Sequence, residues 1–326
     1  MYNRDRLLVK VAKMYYQDEE TQTNISKKLR ISRPTIASLL REARDKNIVR
    51  IMISHPNKQI LEKQDLLQEF YPNIDILVAS SMNGPEESKK SVGNIAAQLL
   101  EELIESASSI GIGWGTTLAE VVNSMNYTNN SHISIYPLIG GVVFSDIKYH
   151  ANHLTYELAK KTNGHANYLY APVITDSKVI RDSFIESDMI KSMLNNSRNV
   201  DIALVGIGNP IVNSNYGQHG YLKNEEIDHL KDNNIVGDML TSFYDSNGSI
   251  LECGISERMI GLDINDLLKI KNVIAVATGK EKVLSAKAIL EKNILNYFIL
   301  DEILADELID ILEQENSRKE LNNDNV

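Results

Sequence analysis

Apolar residues recur at helical spacing through the first 45 positions. In DRLLVKVAKMYYQ (5–17), Leu8, Val11, Ala12 and Tyr15 share one face. In TQTNISKKL (21–29), Ile25 and Leu29 stand four apart, with Thr21 placed to cap the helix. Arg30, Ile31 and Ser32 make a short break. RPTIASLLREARDK (33–46) then carries Ile36, Leu39, Leu40 and Ala43 on a single stripe. Ser32 suits its N-cap and Pro34 its first turn. IVRIMIS (48–54) reads as a short strand.

Pro56 and Pro72 bracket a linker helix (56–72) with Ile60, Leu61, Leu67 and Phe70 apolar. From Ile74 the period alternates between strand and helix. Continuous apolar runs predict strands in IDILVAS (74–80), SSIGIGWG (108–115), ISIYPLIGG (133–141), NYLYAPV (167–173), NVDIALVGIG (199–208), VIAVATG (273–279) and YFILDE (297–302). Helical patterns fall at 91–106, 116–125, 150–164, 187–196 and 301–314. There is no internal repeat. Such alternation implies a parallel or mixed sheet with helices on both faces. The expected fold class is α/β: a helix-turn-helix, winged-helix-like domain (1–55), the linker helix (56–72), a large doubly wound domain (73–315) and a polar, disordered tail (316–326).

Charge sharpens this division. The 326 residues carry a net charge of −10, which by itself argues against a nucleic-acid binder. Residues 1–55, however, hold twelve basic and six acidic side chains, a balance of +6 that leaves −16 on the remainder. A basic end on an acidic body points to a polyanion-binding module joined to something else. The single cysteine, Cys253, excludes an intrachain disulfide framework and fits a reducing cytoplasm. No apolar run is long enough for a membrane span, and none is expected as a partner.

Two short helices joined by a tight turn form a helix-turn-helix. Ile25, Leu29, Ile36 and Leu40 bury the seam, and the second helix presents its first residues to the major groove. Arg33, Thr35, Ser38 and Arg41 stand on that outward face. Arg33 can fork onto a guanine edge. Thr21, Gln22 and Thr23 begin the preceding helix, where hydroxyls and backbone N–H groups meet DNA phosphates. Double-stranded operator DNA is the expected partner. Since one such head secures a long operator poorly, a homo-oligomer, dimer or tetramer, is expected too.

The chief chemical signal in the larger part is Gly111, Gly113, Gly115, Thr116 and Thr117. A strand ends, the chain turns through glycines, and a helix starts at the threonines, which makes an anion site fit for a phosphate. The spacing is G-x-G-x-G rather than the dinucleotide G-x-G-x-x-G, and no Gly-Lys-Ser/Thr follows as in a P-loop. Gly206 and Gly208 end another strand and Gly279 a third, so three loops can rim one pocket at the carboxyl ends of the strands. Lys282, just beyond Gly279 at a helix start, can pair with a phosphate or sugar oxygen, with Lys280 as the alternative. His150 and His153 lack a third ligand. No cofactor and no metal is expected.

The segment TQTNISKKLRISRPTIASLLREARDKNIVRI resembles the DNA-binding head of the SorC-type sugar-responsive regulators. The likeness continues through GIGWGTT (111–117), PLIGG (137–141), VDIALVGIG (200–208), VGDML (236–240) and AVATGKEKVLSAKAIL (275–290), in the family's order. It implies an effector domain similar to phosphosugar isomerases and CoA transferases, a phosphorylated sugar as ligand, and a tetramer. It also implies that Asp238 takes the role of the acidic sugar-hydroxyl ligand and that Lys282 belongs to the effector site, where a Schiff base is within its chemistry. Asn152 and Gln218 are weaker hydroxyl-binding candidates, and Arg258 is either a second anion contact or a surface ion pair. The resemblance favours a repressor controlled by deoxyribose 5-phosphate over the alternative, a phosphosugar isomerase or deaminase with an added head.

Overall fold

The computed structural model describes residues 2–49, 58–81, 84–141, 147–212, 222–252 and 254–323. The chain forms two compact units, Met1–Pro56 and Asn57–Val326. The helix at 58–70 therefore belongs to the large unit and is not a free linker. Its Leu67 is fully buried, because the helix packs on the sheet's first strand and on the C-terminal helix.

The small unit holds α1 (Tyr2–Tyr16), α2 (Gln22–Leu29) and α3 (Arg33–Asp45). Its core is Leu8, Val11, Ala12, Ile25, Ile36, Leu39, Leu40 and Ala43, with Leu29 and Tyr15 packed partly against it. The turn between α2 and α3 is fixed by short-range bonds. Arg30 takes the left-handed conformation at φ 56° and returns its N–H to Ser26 O. Ser26 Oγ donates to Ile31 O at 2.6 Å. Thr21 and Ser32 cap α2 and α3 by accepting from Asn24 N–H and Thr35 N–H. Arg4 forks onto Glu42 and ties α1 to α3. Ile48 and Val49 pack on this core after α3, in bend rather than strand conformation. The rest of the expected strand 48–54 lies outside the described residues.

The large unit is a seven-stranded parallel sheet in the order β1-β9-β8-β5-β2-β3-β4. The strands are β1 (Asp75–Ala79), β2 (Ser109–Ile112), β3 (Ser134–Pro137), β4 (His165–Ala166), β5 (Ile202–Gly206), β8 (Asn272–Ala277) and β9 (Tyr297–Asp301). A separate antiparallel hairpin, β6 (Ile235–Met239) and β7 (Ser242–Asp245), precedes β8. Alternate residues serve opposite faces. Ala203, Val205, Ala275 and Phe298 join one core, while Ile202, Leu204, Ile274 and Ile299 join the other. Burial on both sides is why these strands read as continuous apolar runs. On the second face lie α5 (Pro85–Ile104), α6 (Thr116–Ser124) and α7 (Ala151–Thr162).

Two elements differ from expectation. NYLYAPV (167–173) forms no strand; the strand here is the pair His165–Ala166 just before it. Leu169 and Val173 are buried all the same, because Asn152 bonds both backbone groups of Leu169 and Gly141 bonds Ala171 O and Val173 N–H. Side-chain and loop partners replace the ladder. The last helix runs Glu302–Asn323, so residues 316–323 are helical and not a disordered tail. The segment is polar, yet it lacks Gly and Pro, and Arg318, Lys319, Glu320 and Leu321 are good helix formers; residues 324–326 of the expected tail lie outside the described residues.

Candidate functional site

The chain places β1 at one edge, crosses to β2, runs outward through β3 and β4, and returns to β5 on the other side of β2. This reversal is a topological switch point, where the crevice at the strand carboxyl ends takes ligands. A cavity of about 510 Å³ opens there, within the range of small-molecule sites. The ends of β2, β5, β8 and β9 meet at it, together with the β6–β7 hairpin.

Of the residues read from sequence, Gly113, Gly115, Thr116, Thr117, Asp238, Gly279 and Lys282 all line this cavity. Gly115 sits at φ +130°, a conformation L side chains rarely adopt, and begins α6. The glycine N–H groups do not face the ligand space. Gly113 N–H donates to Leu204 O at 2.9 Å and Gly115 N–H to Tyr149 O at 3.0 Å. The donors offered are instead those of the first turn of α6, at Thr116, Thr117 and Leu118. They have no intrahelical acceptor, and no side chain caps the helix. Trp114 packs partly into a neighbouring apolar cluster and also borders the cavity.

Asp238 reaches the site through the hairpin. Its backbone exchanges both hydrogen bonds with Gly208, and a Cβ on Gly208 would stand 2.3 Å from Asp238 Oδ1. A side chain at position 208 would displace the Asp238 carboxyl from this place. Burial pushes the Asp238 carboxyl up to about 7, against a smaller opposing pull from Lys282. Burial likewise lowers the pKa of Lys282. Gly279, at φ +95°, donates to Asp301 Oδ1 at 3.0 Å. Asp301 is buried and also accepts from Leu304 N–H. The cavity thus gathers an uncapped helix start and hydroxyls together with a carboxyl and an ammonium.

Three other candidates fall elsewhere. Asn152 is not at the cavity, since its amide is spent on Leu169. Arg258 is an internal tie and not an anion contact: it pairs with Glu226 and donates to the carbonyls of Gly254 and Thr175. Lys280 is exposed and away from the cavity, which leaves Lys282 as the lysine of that loop. Gln218 lies outside the described residues. Sequence reasoning missed Ser88, Lys89, Thr278 and Asp301, all at the cavity. The strand-end position of Asp301 was the one available signal. Among the described residues no cluster could hold a metal, and no helix is long and apolar enough to cross a membrane.

In the small unit, Arg33, Thr35, Ser38 and Arg41 of α3 are exposed on the face opposite its buried stripe. Arg33 and Arg41 enter no ion pair among the described residues, whereas Arg4, Lys28 and Lys46 are paired. Thr35 Oγ1 shares a 2.7 Å bond with Ser32 Oγ, which restrains it. Thr21 and Thr23 are exposed and Gln22 half-buried at the start of α2.

A helical head with a basic, unpaired outward face and a parallel α/β unit with a polar switch-point cavity define a ligand-responsive transcriptional regulator. Comparison with known proteins gives the lineage. Residues 55–310 match the model of the sugar-binding domain family. The chain is 30% identical to the sorbitol operon regulator of Klebsiella pneumoniae, over 95% of this chain and 100% of the other. It is 26% identical to the deoxyribonucleoside regulator of Bacillus subtilis, over 95% and 99%. The crystal structure of the full-length Klebsiella regulator superposes with a TM-score of 0.78 at 29% identity, covering 93% of this chain and 98% of that one. The chain belongs to the SorC family of sugar-binding transcriptional regulators. Its relatives are named as regulators and not enzymes, so the isomerase or deaminase alternative falls.

Proposed function

We propose that the chain is a repressor whose grip on operator DNA is set by a phosphorylated sugar in the switch-point cavity. The observation that carries this reading is that the uncapped first turn of α6, Asp238 and Lys282 all line one cavity. The first turn and the hydroxyls of Thr116 and Thr117 take the phosphate, and Asp238 and Lys282 take the sugar end. Deoxyribose 5-phosphate is the first candidate. The Bacillus relative is named a deoxyribonucleoside regulator and the Klebsiella one a sorbitol operon regulator, so phosphorylated hexitols are the next to try. On the DNA side Arg33, Thr35, Ser38 and Arg41 read base edges, while Thr21, Gln22 and Thr23 hold phosphates. The protein acts as a homo-oligomer, a dimer or tetramer, so that paired heads meet paired half-sites.

A thermal-shift panel of pentose, hexose and hexitol phosphates tests the ligand class. A compound that binds only the native state adds RT ln(1 + [L]/Kd), ~2.7 kcal/mol at a hundredfold excess over Kd. The stabilising compound should also change the protein's affinity for operator DNA. Stabilisation by unphosphorylated sugars alone would overturn the phosphate assignment.

A further inference from the structure

The cavity has a second helix at its wall. Gly84, Ser88 and Lys89, from the start of α5, line it alongside Thr116 and Thr117 of α6. The two helices touch one turn further on: a Cβ on Gly93 would stand 2.7 Å from the carbonyl carbon of Glu120. One turn back from that contact lie Lys89 on α5 and Thr116 on α6. The helices therefore run side by side, with both N-termini at the same cavity.

Ser88 gives this arrangement chemical content. It is 1% exposed, and its Oγ is buried with no hydrogen-bond partner. Buried hydroxyls are ordinarily satisfied, so a lone one at a cavity wall marks a place kept for a ligand atom. Lys89 adds a cation. Its ammonium bonds Glu86 at 2.8 Å, but the lysine side chain is 21% exposed and its partner 76%. Glu86 borders the cavity too, but most of its side chain is exposed, so a more buried anion can compete with it for the lysine. The Lys89 charge also reaches Lys282, so both ammonium groups act on one space.

We propose that α5 forms the second half of the anion clamp, with Ser88 Oγ and Lys89 Nζ donating to the effector's phosphate from beside the first turn of α6. This rests on the phosphate reading given above. A phosphate monoester has three terminal oxygens and about two negative charges near neutral pH, more than one helix turn and two threonines satisfy. Donors from α5 complete the shell, and Glu86 turns to solvent as Lys89 shifts to the phosphate. Gly93 sets the helix separation on which the clamp depends.

The test titrates the full chain with inorganic phosphate and with deoxyribose 5-phosphate at constant ionic strength, by calorimetry and by melting temperature. Lys89→Met should weaken both ligands roughly 10- to 100-fold, the range of a buried charge-assisted hydrogen bond. Ser88→Ala should weaken them several-fold, and Lys89→Arg should restore most of the loss. Lys89 is partly exposed, so its variants keep the comparison valid even where Ser88→Ala lowers the unliganded melting temperature. If Lys89→Met and Ser88→Ala bind as wild type does while Thr117→Ala is weakened, the α5 contact is wrong and the α6 phosphate site stands. If neither phosphate compound binds wild type, the phosphate reading fails and the clamp with it.

Discussion

The head and the large unit expose their chemistry in opposite ways. In the head, three helices bury one small apolar cluster, and every DNA-facing candidate on α3 is exposed. In the large unit the ligand-facing groups sit at the carboxyl ends of strands scattered from Gly84 to Ile303. The head holds its reading residues on one helix, so helical spacing alone separates buried from outward positions. The cavity has no such period. Its members meet because a sheet reverses its winding between β2 and β5, and because glycines let charged groups approach closely. A site on one element tolerates change residue by residue, whereas a site assembled from many elements is sensitive to backbone geometry.

The largest expected contrast comes from Gly115→Asp. It imposes a side chain at φ +130° and sets an anion at the start of α6. Effector binding should be lost beyond detection, while operator binding persists without a ligand response. Operator titration with and without the stabilising sugar phosphate checks this, and an undiminished response would place the effector site elsewhere. Next in size is Ile36→Ala in the head, where a fully buried side chain leaves a cavity costing ~2–5 kcal/mol. Differential scanning calorimetry should show the head's transition fall in temperature, with sugar-phosphate affinity unchanged. Loss of both functions together would break the division of labour between the units.

Arg33→Ala should cost ~1–3 kcal/mol on operator DNA and relax base preference at one position. Equal losses on operator and random duplex would reassign Arg33 to a phosphate. The last effect concerns pH. The Asp238 carboxyl rises from an ordinary 3.8 to about 7 on folding, so the folded state keeps a proton that the unfolded chain gives up. Its favourable contribution is complete below pH ~4 and lost as pH climbs toward 7. Stability of the unliganded protein should therefore decline over that interval through this group, and Asp238→Asn should flatten the decline. Chemical denaturation at pH 4, 5.5 and 7 measures the slope.

Hydrophobic period and turn chemistry in the sequence determined the helix-turn-helix, its caps at Thr21 and Ser32, its core, and the parallel α/β class. Those features rest on interactions spanning a few residues. Continuous apolar runs and strand-end glycines likewise pointed to the rim of the cavity. Tertiary structure decided the rest. It spent the N–H groups of Gly113 and Gly115 on Leu204 and Tyr149 and moved the anion donors into α6. It removed Asn152 and Arg258 from the site by giving their polar atoms other partners, and packed the 58–70 helix into the large unit. It brought Ser88 and Lys89 to the cavity through a helix contact at Gly93, where the two positions in contact lie 27 residues apart in sequence. Local patterns record which face of an element is buried. They do not record which distant backbone comes close enough to claim a hydrogen bond, and that claim settles which polar groups remain for a ligand.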